Sequence, residues 1–213
     1  MRFIKILSTF LFIALSAQAS GSVIYLNDNT VVNPYKIDAS VDSFETFYGY
    51  STTNKWSTAL SFAKSNTAVF FLAELNDQLA LFALFDAFSQ NKTGNGKYNF
   101  GFNAFKGNAA FSLIDDSGEM VGSNQANFSW GNKYGDGLVL TFDQSDFFGI
   151  DLNGSNASGL SGGFEFLTFD ASNQATTIAL ADGNFRVEAV PAPATLGLFS
   201  LAIFGLVLLR TRA

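Results

Sequence analysis

The chain contains no cysteine and no histidine. Without Cys, an exported domain cannot rely on disulfides, and packing alone must hold it. Without His, Ser-His-Asp and Cys-His catalysis are excluded, and so are His-ligated zinc, copper and non-haem iron sites. Proline is scarce: Pro34, Pro191 and Pro193 are the only three. Charge is thin as well, at 14% of residues. Arg2, Lys5, Arg210 and Arg212 belong to the terminal segments, which leaves eight Lys/Arg against eighteen Asp/Glu in residues 20–190, a net charge of −10. Such a surface repels phosphate backbones, so no nucleic-acid partner is expected. Nor does the chain hold a long amphipathic helix of the kind that joins parallel strands, which argues against an α/β fold.

Phenylalanine is abundant, at 25 residues, and glycine follows at 19. Aromatic residues favour strands and glycine favours turns. Strand-like runs recur: Val23–Leu26, Thr30–Ile37, Phe44–Tyr50, Trp56–Ala63, Thr67–Leu75, Gln78–Phe85, Tyr98–Phe105, Ala109–Ile114, Met120–Val121, Asn127–Trp130, Leu138–Phe142, Phe164–Phe169, Thr176–Leu180 and Phe185–Ala189. This spacing predicts an all-β domain, an antiparallel β-sandwich or jelly roll. Asn76-Asp77 marks a two-residue hairpin between two runs that are apolar on both faces. The Ala and Leu content of Val69–Phe88 also admits a helix. Asn91–Gly96 and Gly149–Gly163 read as Gly/Asn/Ser-rich loops, the second long enough to suggest binding.

The two ends carry signals. Arg2 and Lys5 precede the apolar run Ile6–Leu15, and Ala17-Gln18-Ala19 is an A-x-A site, so residues 1–19 read as a signal peptide with the mature chain starting at Ser20. At the other end, the uncharged run Ala192–Leu209 is followed by Arg210 and Arg212. At about 1.5 Å per residue it spans roughly 27 Å, enough for a thin bilayer core. The arginines would stay on the cytoplasmic side and place residues 20–190 outside, of which 20–189 form the expected all-β domain.

Val190-Pro191-Ala192-Pro193-Ala194-Thr195, an apolar helix over 196–209 and the terminal arginines resemble a PEP-CTERM sorting tail. The resemblance covers residues 190–213 only, and Ala192 stands where the family carries Glu. It implies recognition by an exosortase, a transpeptidase-like membrane protease of Gram-negative bacteria that make exopolysaccharide. Cleavage near the prolines would send the body from the inner membrane to the cell surface or extracellular matrix.

Candidate chemistry is sparse. No cofactor is expected, although Asp143, Asp146, Asp151 and Asn153 could offer oxygens to a calcium ion; their spacing is not that of an EF-hand. Otherwise they are turn residues. Asp115, Asp116 and Glu119 cluster at Asp115-Asp116-Ser117-Gly118, a good turn sequence. A single turn does not hold two carboxylates apart across a cleft, as glycosidase chemistry needs. Trp56, Trp130 and Tyr134, with Tyr48 and Tyr50, could stack on sugar rings or fill the core. Three functions follow in order of expectation: a structural or adhesive surface protein without catalysis, a carbohydrate-binding module for exopolysaccharide, and a glycan-active enzyme.

Overall fold

The two-faced apolar runs Thr67–Leu75 and Gln78–Phe85 form the central hairpin of the structure, a computed structural model that describes residues 22–49, 61–87, 94–116 and 118–191. In chain order the described elements are β1 (Ser22–Leu26), β2 (Thr30–Val32), β3 (Tyr35–Lys36), α1 (Phe44–Tyr48), β4 (Thr67–Leu75), β5 (Gln78–Phe85), β6 (Gly96–Lys106), β7 (Ala109–Ile114), β8 (Met120–Gly122), β9 (Gln125–Trp130), β10 (Asp136–Phe142), β11 (Gly149–Ser158), β12 (Gly163–Phe169), β13 (Ala175–Leu180) and β14 (Phe185–Pro191). They build two sheets. Sheet A runs β2-β1-β14-β11-β6-β9-β8, and sheet B runs β13-β12-β4-β5-β10-β7 with β3 also on β4. The domain is therefore an all-β sandwich. Sheet B departs from a purely antiparallel one, because β3 and β12 both pair parallel with β4.

The Asn76-Asp77 turn joins β4 and β5 as its residue types predict. Both residues are left-handed, at φ 50° and 63°, the conformation a type I′ hairpin turn demands and Asn and Asp tolerate.

Two apolar layers explain why this hairpin is hydrophobic on both faces. Between the sheets lie Phe70, Leu72, Leu81 and Phe85 of sheet B against Tyr98, Phe100, Phe128, Ile150 and Val187 of sheet A. Behind sheet B lies a second cluster of Val69, Phe71, Phe82, Leu84, Val139 and Phe169, covered by Phe44 and Tyr48 of α1. Phe82 is its centre: it stacks on Phe71 at 5.1 Å and takes the edges of Phe44 and Phe47. Aromatic pairs of this geometry contribute about 0.5–1.5 kcal/mol each beyond burial.

The segment Phe44–Tyr50, expected as a strand, forms the helix α1 over Phe44–Tyr48. Local capping outweighs its aromatic content. Ser43 is the N-cap and accepts from Thr46 N–H at 3.1 Å, and Gly49 closes the helix in the left-handed region at φ 69°. The segment Gly149–Gly163, expected as a loop, contains β11, paired between β14 and β6. Ile150 and Leu152 alternate inward. Further along, Gly154 is small because the Tyr98 hydroxyl occupies the space a Cβ would need. Of the expected strand Trp56–Ala63, residues 61–63 are not strand, and the rest lies outside the described residues.

The expected signal peptide (1–19) with Ala17 and Ala19, the expected first mature residue Ser20, the tail residues Ala192, Pro193, Ala194, Thr195, Arg210 and Arg212, and the expected membrane span 196–209 also lie outside the described residues. Among the described residues no helix is long and apolar enough to cross a membrane. The last strand runs to Pro191, so Val190 and Pro191, expected in the tail, end β14.

Candidate functional site

Two crossings between the sheets meet at one corner of the sandwich. The chain passes from β7 in sheet B to β8 in sheet A, and from β9 in sheet A back to β10 in sheet B. Asp115 follows β7, Glu119 precedes β8, and Asp136 opens β10. The crossings bring these three carboxylates together, with one oxygen from each lying within 4.8 Å of the others. Among the described residues it is the one group of three or more acidic side chains so placed.

Two members of the group are buried and Glu119 is half-buried. Asp115 and Asp136 are 6% and 2% exposed. Tyr48 of α1 donates its hydroxyl to Asp115 Oδ2 at 3.1 Å. Gly137 N–H donates to Asp136 Oδ1 at 2.9 Å and to Asp115 Oδ1 at 3.3 Å. Ser129 N–H lies 3.1 Å from Glu119 Oε1 and 3.2 Å from Asp136 Oδ2. Glu119 Oε2 is buried with no hydrogen-bond partner among the described residues. Gly137 is required here, since a Cβ at that position would stand 2.5 Å from both the Tyr48 hydroxyl and the Ala83 carbonyl.

Three carboxylates without a facing cation cannot all ionise in a buried site. Burial pushes Asp136 up to about 12, helped by hydrogen bonding and repulsion from Asp115 and Glu119. Burial likewise raises Asp115, against hydrogen bonds from Asp136, Gly137 and Tyr48. Glu119 is pushed up to about 7, first by burial. The Tyr48 hydroxyl is raised well above its usual value by burial and then by Asp115. The cluster is thus a proton-sharing group that ties α1, the β7–β8 turn and β10 together. Its oxygens also suit a hard cation chemically, since calcium takes carboxylate oxygens at about 2.3–2.6 Å. A cation there would have to displace the protons.

The residues singled out for calcium are distributed differently. Asp143 accepts from Asn108 N–H at 2.9 Å and from its amide at 2.8 Å. Asp151 receives the Arg186 guanidinium at 2.7 and 3.1 Å. Asn153 stands two residues further along β11, and Asp146 lies between β10 and β11. Asp143, Asp146 and Asp151 form no close acidic group. Spacing is a poor guide here because β10 and β11 belong to different sheets.

The aromatic candidates fare differently again. Trp130 is 4% exposed and offers no face to a sugar. It points into the core from β9 and donates its indole N–H to Asp86 Oδ2 at 3.0 Å. Asp86 also accepts from Asn66 and Ala87 N–H, both at 2.8 Å, so it is a buried staple between loops. Tyr48 is fully buried, Tyr134 is half-buried in the β9–β10 connection, and Trp56 and Tyr50 lie outside the described residues.

Asp115 and Glu119 are neighbours in the sequence, but nothing there points to Asp136. Asp136-Gly137 reads as a turn until β7 and β10 are known to pair. A depression of about 390 Å³ lies beside α1, lined by Asp42, Glu45, Asn76, Gln78 and Ser112. There Glu45 bonds the Ser112 hydroxyl. Comparison with known proteins returned no matching family model, curated protein or solved structure.

Proposed function

We propose that this protein is an exported, non-catalytic β-sandwich, delivered to the cell surface or extracellular matrix by an exosortase-like protease acting on residues 190–213. The observation that carries the reading is where the fold ends. Ala189 is fully buried, whereas Val190 is 37% exposed and Pro191 is exposed beyond it. Cleavage within Pro191-Ala192-Pro193 would therefore remove no core side chain. The sorting-tail resemblance then supplies the route: Val190, Pro191, Ala192, Pro193, Ala194 and Thr195 ahead of an apolar run closed by Arg210 and Arg212. A structural or adhesive role agrees with carboxylates that are buried or half-buried and bonded to one another and to Tyr48.

The test is fractionation of an epitope-tagged chain in hosts with and without an active exosortase. The tagged body is expected at the surface or in the medium only when the exosortase is active, with Ser20 as its first residue. Ala192→Glu should speed the conversion, since it restores the family's residue. Equal retention in the inner membrane of both hosts, with no effect of Ala192→Glu, would sink the proposal and leave the tail as a plain anchor.

A second reading, binding of an extracellular glycan, is favoured by the outer face of sheet A, which is solvent-facing and carries several carboxamides among mostly paired charges.

A further inference from the structure

The outer face of sheet A carries Asn99, Gly101 and Asn103 of β6, Gln125 and Asn127 of β9, and Asp151, Asn153 and Ser155 of β11. The pairing registers set them in cross-strand rows. Ser155 stands opposite Asn99, and Asn99 opposite Asn127. Asn153 stands opposite Gly101, and Gly101 opposite Gln125. Arg186 stands opposite Asp151, and Asp151 opposite Asn103. With strands about 4.8 Å apart and about 3.4 Å per residue, the rows cover a face about 10 Å across and about 14 Å long. That is larger than one sugar ring and suits a chain.

These amides have no evident role in the fold. Asn is among the residues that strands disfavour. A structural amide would repay that cost with a hydrogen bond, yet among the described residues the side chains of Asn99, Asn103, Gln125, Asn127 and Asn153 make none. Asn99 and Asn127 are direct cross-strand partners and still leave each other unbonded. Each amide offers both a donor and an acceptor, the pairing that a sugar hydroxyl matches. Gly101 has no side chain, so the middle row dips to a shallow trough between Asn153 and Gln125, bordered by the Gln125 Cγ at 3.6 Å from the Gly101 Cβ position.

Charge narrows the ligand class. On this face Arg186 is paired with Asp151, and Lys106 with Glu188 at 3.3 Å. Lys97 remains beside the rows, with no ion pair among the described residues. The face is close to neutral on a strongly acidic domain. Phe105, 43% exposed under the Arg186 guanidinium at 4.4 Å, borders the row of Asp151 and Asn103 with an apolar edge.

We propose that this face binds a neutral polysaccharide chain, its hydroxyls bridging the amides of Asn99, Asn127, Asn153 and Gln125 and its backbone lying along the Gly101 trough. The proposal deepens the glycan reading and rests on it.

The test is native affinity electrophoresis of the full chain in mild detergent micelles, through gels containing neutral glucan, mannan, galactan or xylan. At least one of these is expected to retard the chain, and about 0.5 M NaCl should leave the retardation unchanged, since no ion pair is involved. The triple variant Asn99→Thr, Asn127→Thr, Asn153→Thr is expected to lose at least about tenfold in affinity, because each lost hydrogen bond weakens binding severalfold. Thr is a better strand former than Asn, so its urea midpoint should equal or exceed that of the wild type. Failure of all four polysaccharides to retard the chain overturns the proposal. So does retardation that salt abolishes, or a triple variant that binds as well as wild type. A triple variant with a lowered urea midpoint overturns it too, since the amides would then be structural. The single variant Asn127→Thr provides a milder check, expected to lose about fivefold. Binding is read on purified protein, so it fails or succeeds independently of the fractionation test of export.

Discussion

Replacing Asp136 with Asn should flatten the pH dependence of stability above about pH 5. In the folded chain all three carboxylates of the cluster bind protons more tightly than in the unfolded chain, where they titrate near about 4. For an acid whose pKa is raised by folding, stability is fully present below the unfolded value. It is then lost as pH climbs through the folded value, because the unfolded chain releases a proton that the folded chain keeps. The window opens near pH 4 and runs through about 7 for Glu119 and toward about 12 for Asp136. Each retained proton costs about 1.4 kcal/mol per pH unit. For Asp136, 2% exposed, this reaches ~4 kcal/mol between pH 5 and pH 8.

The amide of the Asp136→Asn variant would keep the shape and the neutral charge of the protonated acid. Its oxygen would still accept from Gly137 N–H and its NH2 would donate toward Asp115 and Glu119, while Ser129 N–H keeps Glu119 Oε1 as its acceptor. Because the neighbours would see no new charge, their own titrations should persist, and only the slope belonging to position 136 should vanish. Asp38 and Asp143, held low by hydrogen bonds from Ser40 and Asn108, act in the opposite sense. Their contribution is lost only as pH falls below about 4, outside the measured range. The assay is urea denaturation at about pH 5, 6, 7 and 8, comparing wild type with Asp136→Asn. The free-energy difference should grow in favour of the variant by about 1.4 kcal/mol per pH unit. Parallel curves would refute the proton-sharing account. Calcium that stabilises the wild type and removes its slope would also refute it, since the cluster would then be holding a cation.

Trp130→Phe should lower stability by about 1–3 kcal/mol, read from the urea midpoint, because it removes a donor from the buried Asp86 carboxylate. Asp77→Gly should be neutral or stabilising and Asp77→Val destabilising by about 1–2 kcal/mol, since the position sits at φ 63°; equal effects would mean the turn is not left-handed in solution. Gly137→Ala should destabilise the domain and loosen α1, measured as faster amide exchange over Phe44–Tyr48, because the new methyl meets the Tyr48 hydroxyl. Phe82→Ala should cost about 3–5 kcal/mol by thermal unfolding, since a fully buried ring leaves a cavity between sheet B and α1.

The elements readable from sequence are those whose signal is local. The central hairpin is legible because Asn76-Asp77 tolerates positive φ and the flanking runs are apolar on both faces. The α1 helix passes for a strand because five residues give too little periodicity to outweigh three aromatics, although its caps, Ser43 and Gly49, stand in plain view. In β11 the residues are small for a reason that lies elsewhere in the chain. Gly154 makes room for Tyr98, and Asn153 and Ser155 face outward, so the strand has the composition of a loop. The carboxylate cluster depends on two sheet crossings, and no local pattern announces that Asp136 returns to Asp115. Trp130 is ambiguous until its partner is known: an indole N–H near a buried acid is core, whereas the same residue on an outward position of β9 would have been a platform.

The two sheets divide the work unequally. Sheet B is buried on both faces around its central strands, with one apolar layer toward sheet A and another beneath α1, Ile37 and Phe62. This explains why β4 and β5 contain almost no polar residue, and it leaves that region without a surface to offer. Sheet A is buried on one face only, and its outer residues are free of packing duties. A sheet under selection for solubility alone would fill such a face with Lys, Glu and Thr, which resist edge and face association. In this chain charge is thin, yet the adjacent strands β11, β6 and β9 hold five carboxamides on that face, placed in register and unbonded among the described residues. An amide attracts no ion and repels none, so it adds little to solubility. Its distinctive property is to donate and accept at once, toward something that does the same.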